Sequence, residues 1–232
     1  MKLSGLQKTT LLDFPSKVAC TVFTAGCNFR CPFCHNATLV LGEGDPIDAE
    51  DFFRFLKKRQ GILDGVCITG GEPTLQKDLR DFIFTVKELG YAVKLDTNGN
   101  RPGVLAALLG EGLLDYVAMD VKNAPGFYAE TVGIPAFCEE AVWESVDLLR
   151  KGKIPFEFRT TVTAELHSPE KILLLAERIK GEHPYYIQQF RPSEDLLSPG
   201  SSPVPGEDLQ RMLENAKRYL PKAALRGVDP VA

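Results

Sequence analysis

Lys17-Val18-Ala19-Cys20-Thr21-Val22-Phe23-Thr24 leads, through Ala25, into Gly26-Cys27-Asn28-Phe29-Arg30-Cys31-Pro32-Phe33-Cys34-His35-Asn36. The first segment is β-branched and apolar, bounded by Pro15 and Gly26, and reads as a buried strand. The second holds three of the chain's six cysteines within eight positions. Fe–S clusters normally take four cysteine ligands, so three with no fourth nearby would hold a 4Fe-4S cube by three irons and leave one iron open. The same logic separates catalytic from structural zinc sites, where the missing protein ligand marks the reacting position. The plainer alternative is a zinc knuckle. Zinc wants a fourth ligand, and His35, adjacent to Cys34, is poorly placed to close a tetrahedron with it.

Working outward, strands and helices alternate. Residues 3 to 16 lack a clear period and read as a lead-in with room for a short hairpin. Asp48 caps a helix carrying Phe52, Phe53 and Leu56 that ends by Gly61. Gly65-Val66-Cys67-Ile68-Thr69 is a second strand. Leu79, Phe82, Ile83, Val86 and Leu89 give an amphipathic helix stopped by Gly90. Tyr91 to Leu95 is a third strand, Val104 to Leu109 a short helix, and Tyr116 to Met119 a fourth strand. Val142, Val146 and Leu149 mark a helix and Phe156 to Val162 a fifth strand. Ser168-Pro169 opens a helix with Ile172, Leu175, Ala176 and Ile179. Tyr185 to Phe190 is a sixth strand, followed by a helix with Leu209, Met212, Leu213 and Ala216 and a terminal segment, Ala223 to Gly227, with strand character. Six strands alternating with helices predict an α/β fold, a parallel sheet of right-handed βαβ units, in which ligands sit outside the C-terminal strand ends.

Those ends carry the polar residues: the cysteine loop, Thr69-Gly70-Gly71-Glu72-Pro73, Asp96-Thr97-Asn98-Gly99, Asp120-Val121-Lys122, Thr161 to Thr163, and Arg191-Pro192. Taken singly, each has an ordinary reading. Gly-Gly after a strand is usually tight backbone, and Asn-Gly a turn. Asp120 with Lys122 is a solvated pair in most loops. Arg159, inside an apolar strand, needs a partner, and Glu157 on the same face would serve. Placed together at one end of a sheet, the glycines would admit a small molecule to the backbone, and Lys122 could hold a carboxylate. His167 and His183 read as solvent-facing caps without a role, and the scattered Cys20, Cys67 and Cys138 as buried small hydrophobes.

At 232 residues, with 44% hydrophobic and 25% charged residues, the chain fits one soluble globular domain, 1–232. A net charge of -4 carries no basic footprint for nucleic acid. The N-terminus lacks an apolar leader, no run is long enough to span a membrane, and the cysteines do not form a secreted disulfide pattern, so a cytoplasmic location is expected.

Cys27xxxCys31xxCys34, then Gly70-Gly71-Glu72-Pro73, then Asp120-Val121-Lys122, resembles the radical S-adenosylmethionine superfamily. Phe33 matches the aromatic position before the last cysteine, and Cys34-His35-Asn36 resembles the glycyl radical enzyme activases. Within these, residues Leu3 to Pro15 and Leu225-Arg226-Gly227 resemble the anaerobic ribonucleoside-triphosphate reductase activating proteins. The resemblance implies a partial (β/α)6 barrel, a 4Fe-4S cluster on Cys27, Cys31 and Cys34, and S-adenosylmethionine chelating the open iron through its amino and carboxylate groups. One electron, from a flavodoxin or ferredoxin, would cleave the cofactor, and the 5′-deoxyadenosyl radical would take a hydrogen atom from a glycine of the partner, most simply anaerobic ribonucleotide reductase. It also implies that backbone near Phe33 and His35 meets adenine, and that Gly70, Gly71 and Glu72 meet the methionyl ammonium. Asp120 and Lys122 would contact the methionyl end, Arg159 would contribute, and Asp96 with Thr97 would complete a monovalent-cation site. Gln188 and Gln189 stand where some relatives use a histidine. Two alternatives stay open: a radical enzyme acting on a small molecule, as in 7-carboxy-7-deazaguanine synthase, and a non-catalytic Fe–S electron carrier.

Overall fold

The computed structural model describes residues 1–228. Its strands are β1 (Leu3–Thr10), β2 (Ala19–Thr24), β3 (Gly65–Gly70), β4 (Ala92–Thr97), β5 (Tyr116–Asp120), β6 (Phe156–Val162), β7 (Tyr185–Gln189) and β8 (Ala223–Arg226). They form one sheet in which each strand lies beside its sequence neighbours. β1 runs antiparallel to β2, and every pairing from β2 to β8 is parallel. Because the order never reverses, right-handed crossovers put all the helices on one side. Side chains two strands apart meet across the other side, as Asp96 of β4 and Arg159 of β6 do at 3.1 Å. The sheet is therefore a curved wall with β1 and β8 at its edges: the expected partial barrel, with a strand added at each flank.

The crossovers carry α1 (Ala37–Leu41), α2 (Ala49–Lys57), α3 (Leu79–Glu88), α4 (Pro102–Gly110), α5 (Tyr128–Val132), α6 (Glu140–Lys151), α7 (Pro169–Ile179) and α8 (Gly206–Lys217). Caps set several starts. Asp48 Oδ1 accepts from Glu50 N at 2.6 Å and Ser168 Oγ from Lys171 N at 3.3 Å, satisfying amide groups that a first helical turn leaves unpaired. Period-2 alternation then sorts the sheet. Val66, Ile68, Val93, Leu95, Val117, Met119, Phe158 and Ile187 are buried in one apolar core with helix residues such as Ile83, Val146 and Leu175. The intervening positions, Cys67, Lys94, Asp96, Asp120, Glu157 and Arg159, face the concave lumen, which is polar.

Three readings change. The N-terminal lead-in is a full strand, β1, joined to β2 with two register shifts. α1 and α5 are helices of five residues each, too short to show a period. Cys20 and Cys67 are buried as expected, but Cys138 is exposed, its thiol donating to Glu140 Oε2 at 2.7 Å. Among the described residues no helix is long and apolar enough to cross a membrane.

Candidate active site at the strand ends

One cleft at the C-terminal ends of β2 to β6 is lined by Cys27, Cys31, Phe33, Cys34, His35, Gly70, Gly71, Glu72, Asp96, Thr97, Asp120, Lys122 and Thr161, among others. These thirteen positions, all singled out from sequence, thus share one surface; Arg159 is bonded to two of them, Asp96 and Asp120.

The cysteine loop is held from several sides. Arg30 N donates to Val132 O at 2.8 Å, and Phe29 packs edge-on against Phe137. Leu197 N and Ser198 N donate to Cys34 O and Pro32 O, each at 3.1 Å. His35 stacks on Phe190 and its Nε2 bonds Arg191 O at 2.6 Å, tying the loop to the end of β7. Burial pushes the Cys31 thiol up to about 12 and raises that of Cys27. Such thiols become ligands only when a metal displaces their protons. The donor set suits a cube. Cys27, Cys31 and Cys34 line the same cleft, and three thiolates are the number that would hold a 4Fe-4S cube with one iron left open. Phe29 N and Asn98 Nδ2 also lie 3.4 and 4.0 Å from Cys27 Sγ, as N–H groups do around cluster sulfurs.

Gly70 and Gly71 have a job besides admitting a ligand. Gly70 adopts φ +115°, and a Cβ on Gly71 would lie 2.0 Å from Gly26 O, at the start of the cysteine loop. Gly71→Ala is expected to cost about 1–3 kcal/mol, the usual range for overpacking. The check is the urea midpoint of the anaerobic protein, where no change would mean that Gly26 yields freely.

Glu72 departs from its expected part. Its carboxylate is buried, with Oε1 accepting from Thr74 N at 3.1 Å, Thr74 Oγ1 at 2.5 Å and Thr97 Oγ1 at 2.7 Å, and Oε2 from Asn98 N at 2.7 Å. Burial raises its pKa, and these donors oppose the rise. The side chain fixes the Thr97–Asn98 turn, its oxygens engaged within the protein.

Arg159 does not pair with Glu157. Glu157 binds Arg226 at 2.9 Å and Tyr116 at 3.0 Å. Arg159 instead bridges Asp96 Oδ2 at 3.1 Å and Asp120 Oδ1 at 2.9 Å; Lys122 Nζ meets Asp120 Oδ2 at 3.1 Å, and Lys94 Nζ meets Asp96 Oδ1. Burial alone would raise the Asp120 pKa, but Arg159 and Lys122 hold it well below the usual carboxylate range. With all four carboxylate oxygens taken, Asp96 and Thr97 do not fit the monovalent-cation site expected of them. Gln189 also leaves the cleft, exchanging two hydrogen bonds with the backbone of Val204.

His167 is not a solvent-facing cap. It is 5% exposed; Nδ1 accepts from Thr163 N at 3.1 Å, so Nε2 carries the proton and donates to Lys122 O at 2.9 Å. Its ring meets Phe33 edge-on at 6.1 Å, and burial lowers its pKa to about 4, keeping it neutral. His183 does cap, through Nε2 and Ile179 O at 2.8 Å. Asn98, named only as a turn residue, and His167 and Tyr128, whose hydroxyl accepts from Lys122 N at 2.9 Å, are site supports to which sequence reasoning gave no role. Asn98 alone had a signal, its place at a strand end.

The family model described as the radical SAM superfamily matches residues 21–165. A Methanocaldococcus jannaschii protein named as a glycyl-radical enzyme activating enzyme is 34% identical over 98% of this chain and 96% of its own. A Thermococcus kodakarensis protein named as a GTP 3′,8-cyclase is 32% identical over 63% of this chain but only 48% of its own. Among solved structures, Streptococcus suis SuiB bound to S-adenosylmethionine aligns with a TM-score of 0.67 at 17% identity, over 88% of this chain and 49% of that one. At that identity the likeness speaks to fold alone.

Proposed function

The chain belongs to the radical SAM superfamily, and from that premise we propose that it activates a glycyl radical enzyme, with anaerobic ribonucleoside-triphosphate reductase as the partner. The observation that carries this reading is the 34% identity with a named activating enzyme along nearly the full length of both chains. The choice of reductase rests on Leu3 to Pro15 and Leu225-Arg226-Gly227, which lie in or beside the two flanking strands. The cyclase likeness covers under half of that relative, which favours the activase over a small-molecule reaction.

A 4Fe-4S cluster bound there would supply one-electron reductive cleavage of S-adenosylmethionine, with a flavodoxin or ferredoxin as the electron source and hydrogen abstraction from the partner's glycine as the outcome. The chain's part is orientation and shielding. Cys27, Cys31 and Cys34 would hold the cluster, and backbone at Gly70 and Gly71 would accept the ammonium. Lys122, steadied by Asp120 through its side chain and by His167 and Tyr128 through its backbone, would meet the carboxylate. Backbone at Phe33 to His35 would meet adenine. The open flank between β1 and β8 suits entry of a polypeptide loop.

The test mixes the reduced, cluster-loaded protein with S-adenosylmethionine and the reductase from the same organism. An electron paramagnetic resonance doublet from a glycyl radical is the expected result. Formation of 5′-deoxyadenosine without the doublet would remove the partner and keep the chemistry; absence of both would remove the enzymatic reading in favour of an electron carrier.

A further inference from the structure

Lys94 is the most deeply buried cation near the cleft, at 2% exposure, and a lysine is rarely buried without purpose. It lies on β4 two residues before Asp96, so both side chains point into the lumen. Its ammonium meets Asp96 Oδ1 and lies 3.8 Å from Cys67 Sγ. Asp96 does not need Lys94 for neutralisation, because Arg159 already binds its other oxygen at 3.1 Å. Lys94 therefore adds a second positive group to a carboxylate already paired, directly below the floor of the cleft. Asp13, the nearby carboxylate at the β1–β2 connection, accepts from Thr21 Oγ1 at 2.5 Å and is not paired with Lys94.

We propose that Lys94 is a tethered internal cation that makes S-adenosylmethionine binding independent of any dissolved monovalent cation. The inference rests on reading the cleft as the S-adenosylmethionine site. An ion such as potassium could use Asp96 only by displacing an ammonium fixed to the same strand, whose effective concentration no dissolved ion matches. Lys94 is a positioning residue: it holds Asp96, which holds Arg159, which holds Asp120 against Lys122. The chain of contacts fixes Lys122 at the cleft without an exchangeable member.

The test measures S-adenosylmethionine binding by equilibrium dialysis with anaerobic, cluster-loaded protein in choline, sodium, potassium and ammonium chloride at equal ionic strength. Wild-type affinity is expected to vary by less than about twofold among the salts. Lys94→Met keeps the apolar stem and removes the charge. It is expected to bind about tenfold more weakly in choline chloride and to recover in potassium or ammonium chloride. A second readout needs no cofactor: the cluster-free Lys94→Met variant should melt at a higher temperature in potassium than in choline chloride, while the wild type should not. Wild-type binding that collapses in choline chloride would overturn the proposal, as would a Lys94→Met variant indifferent to every cation. If that variant does not fold, the wild-type comparison decides alone. No wild-type binding in any salt would sink the reading of the cleft itself, a distinct failure.

Discussion

Cys31→Ala is expected to reduce 5′-deoxyadenosine formation to the level of a protein-free control. Of the three cysteines Cys31 is the most buried, and its thiol is the one pushed up to about 12. A ligand so desolvated cannot be replaced by a water or by a neighbouring side chain. The other cysteines offer no substitute: Cys20 and Cys67 are themselves buried on the strands, and Cys138 is exposed beyond Phe137. Two thiolates with two irons unprotected do not keep a cube intact in this geometry. Iron and sulfide analysis should therefore fall with activity, and the broad absorption of the reconstituted cluster should be lost. An intact cluster without cleavage would instead assign Cys31 to orientation alone.

Asp120→Ala is expected to cost about 3 kcal/mol of stability, near the lower end for breaking a buried ion pair, because the 29% exposure of the Asp120 side chain lets water screen part of the loss. Lys122 would lose its carboxylate and Arg159 one of two, leaving positive groups in a lumen with little water. The sign with pH follows from the depressed pKa of Asp120. A carboxylate whose folded pKa lies below its unfolded value stabilises above the unfolded pKa and loses that contribution as pH falls through the folded one. Urea unfolding of wild type and Asp120→Asn should thus differ most at neutral pH and converge on acidification below the ordinary carboxylate range. A constant gap would mean that Asp120 contributes packing and not charge.

Much of this was legible in the residues because local rules agreed with the fold. Phe156 to Val162 is uninterrupted by Gly or Pro, and β6 has those same bounds. Asp48 and Ser168 mark their helices as caps should, by local hydrogen bonds. What sequence could not show were contacts between distant positions. His167 lies four residues past Thr163 and beside a helix cap, so its local setting is that of a surface residue. Only the approach of Lys122 O, 45 positions away, makes it interior. Glu72 belongs to a motif that suggests a ligand, yet two of its four donors come from the neighbouring βα turn, Thr97 and Asn98. Arg159 had a plausible partner at Glu157, which Arg226, near the far end of the chain, takes instead. β1 was hidden for another reason: an edge strand with register shifts carries polar residues on both faces and shows no period.

The alternation of each strand gives the molecule two populations of positions that answer to different demands. Residues toward the helices, such as Ile68, Leu95 and Val117, need only be apolar and of suitable volume, and cores tolerate exchange among such residues when volume is kept. Residues toward the lumen, such as Lys94, Asp96 and Arg159, are fixed by charge and reach, and can be altered without touching the helix layer. The scaffold is thus free to drift on one side while its chemistry is retuned on the other.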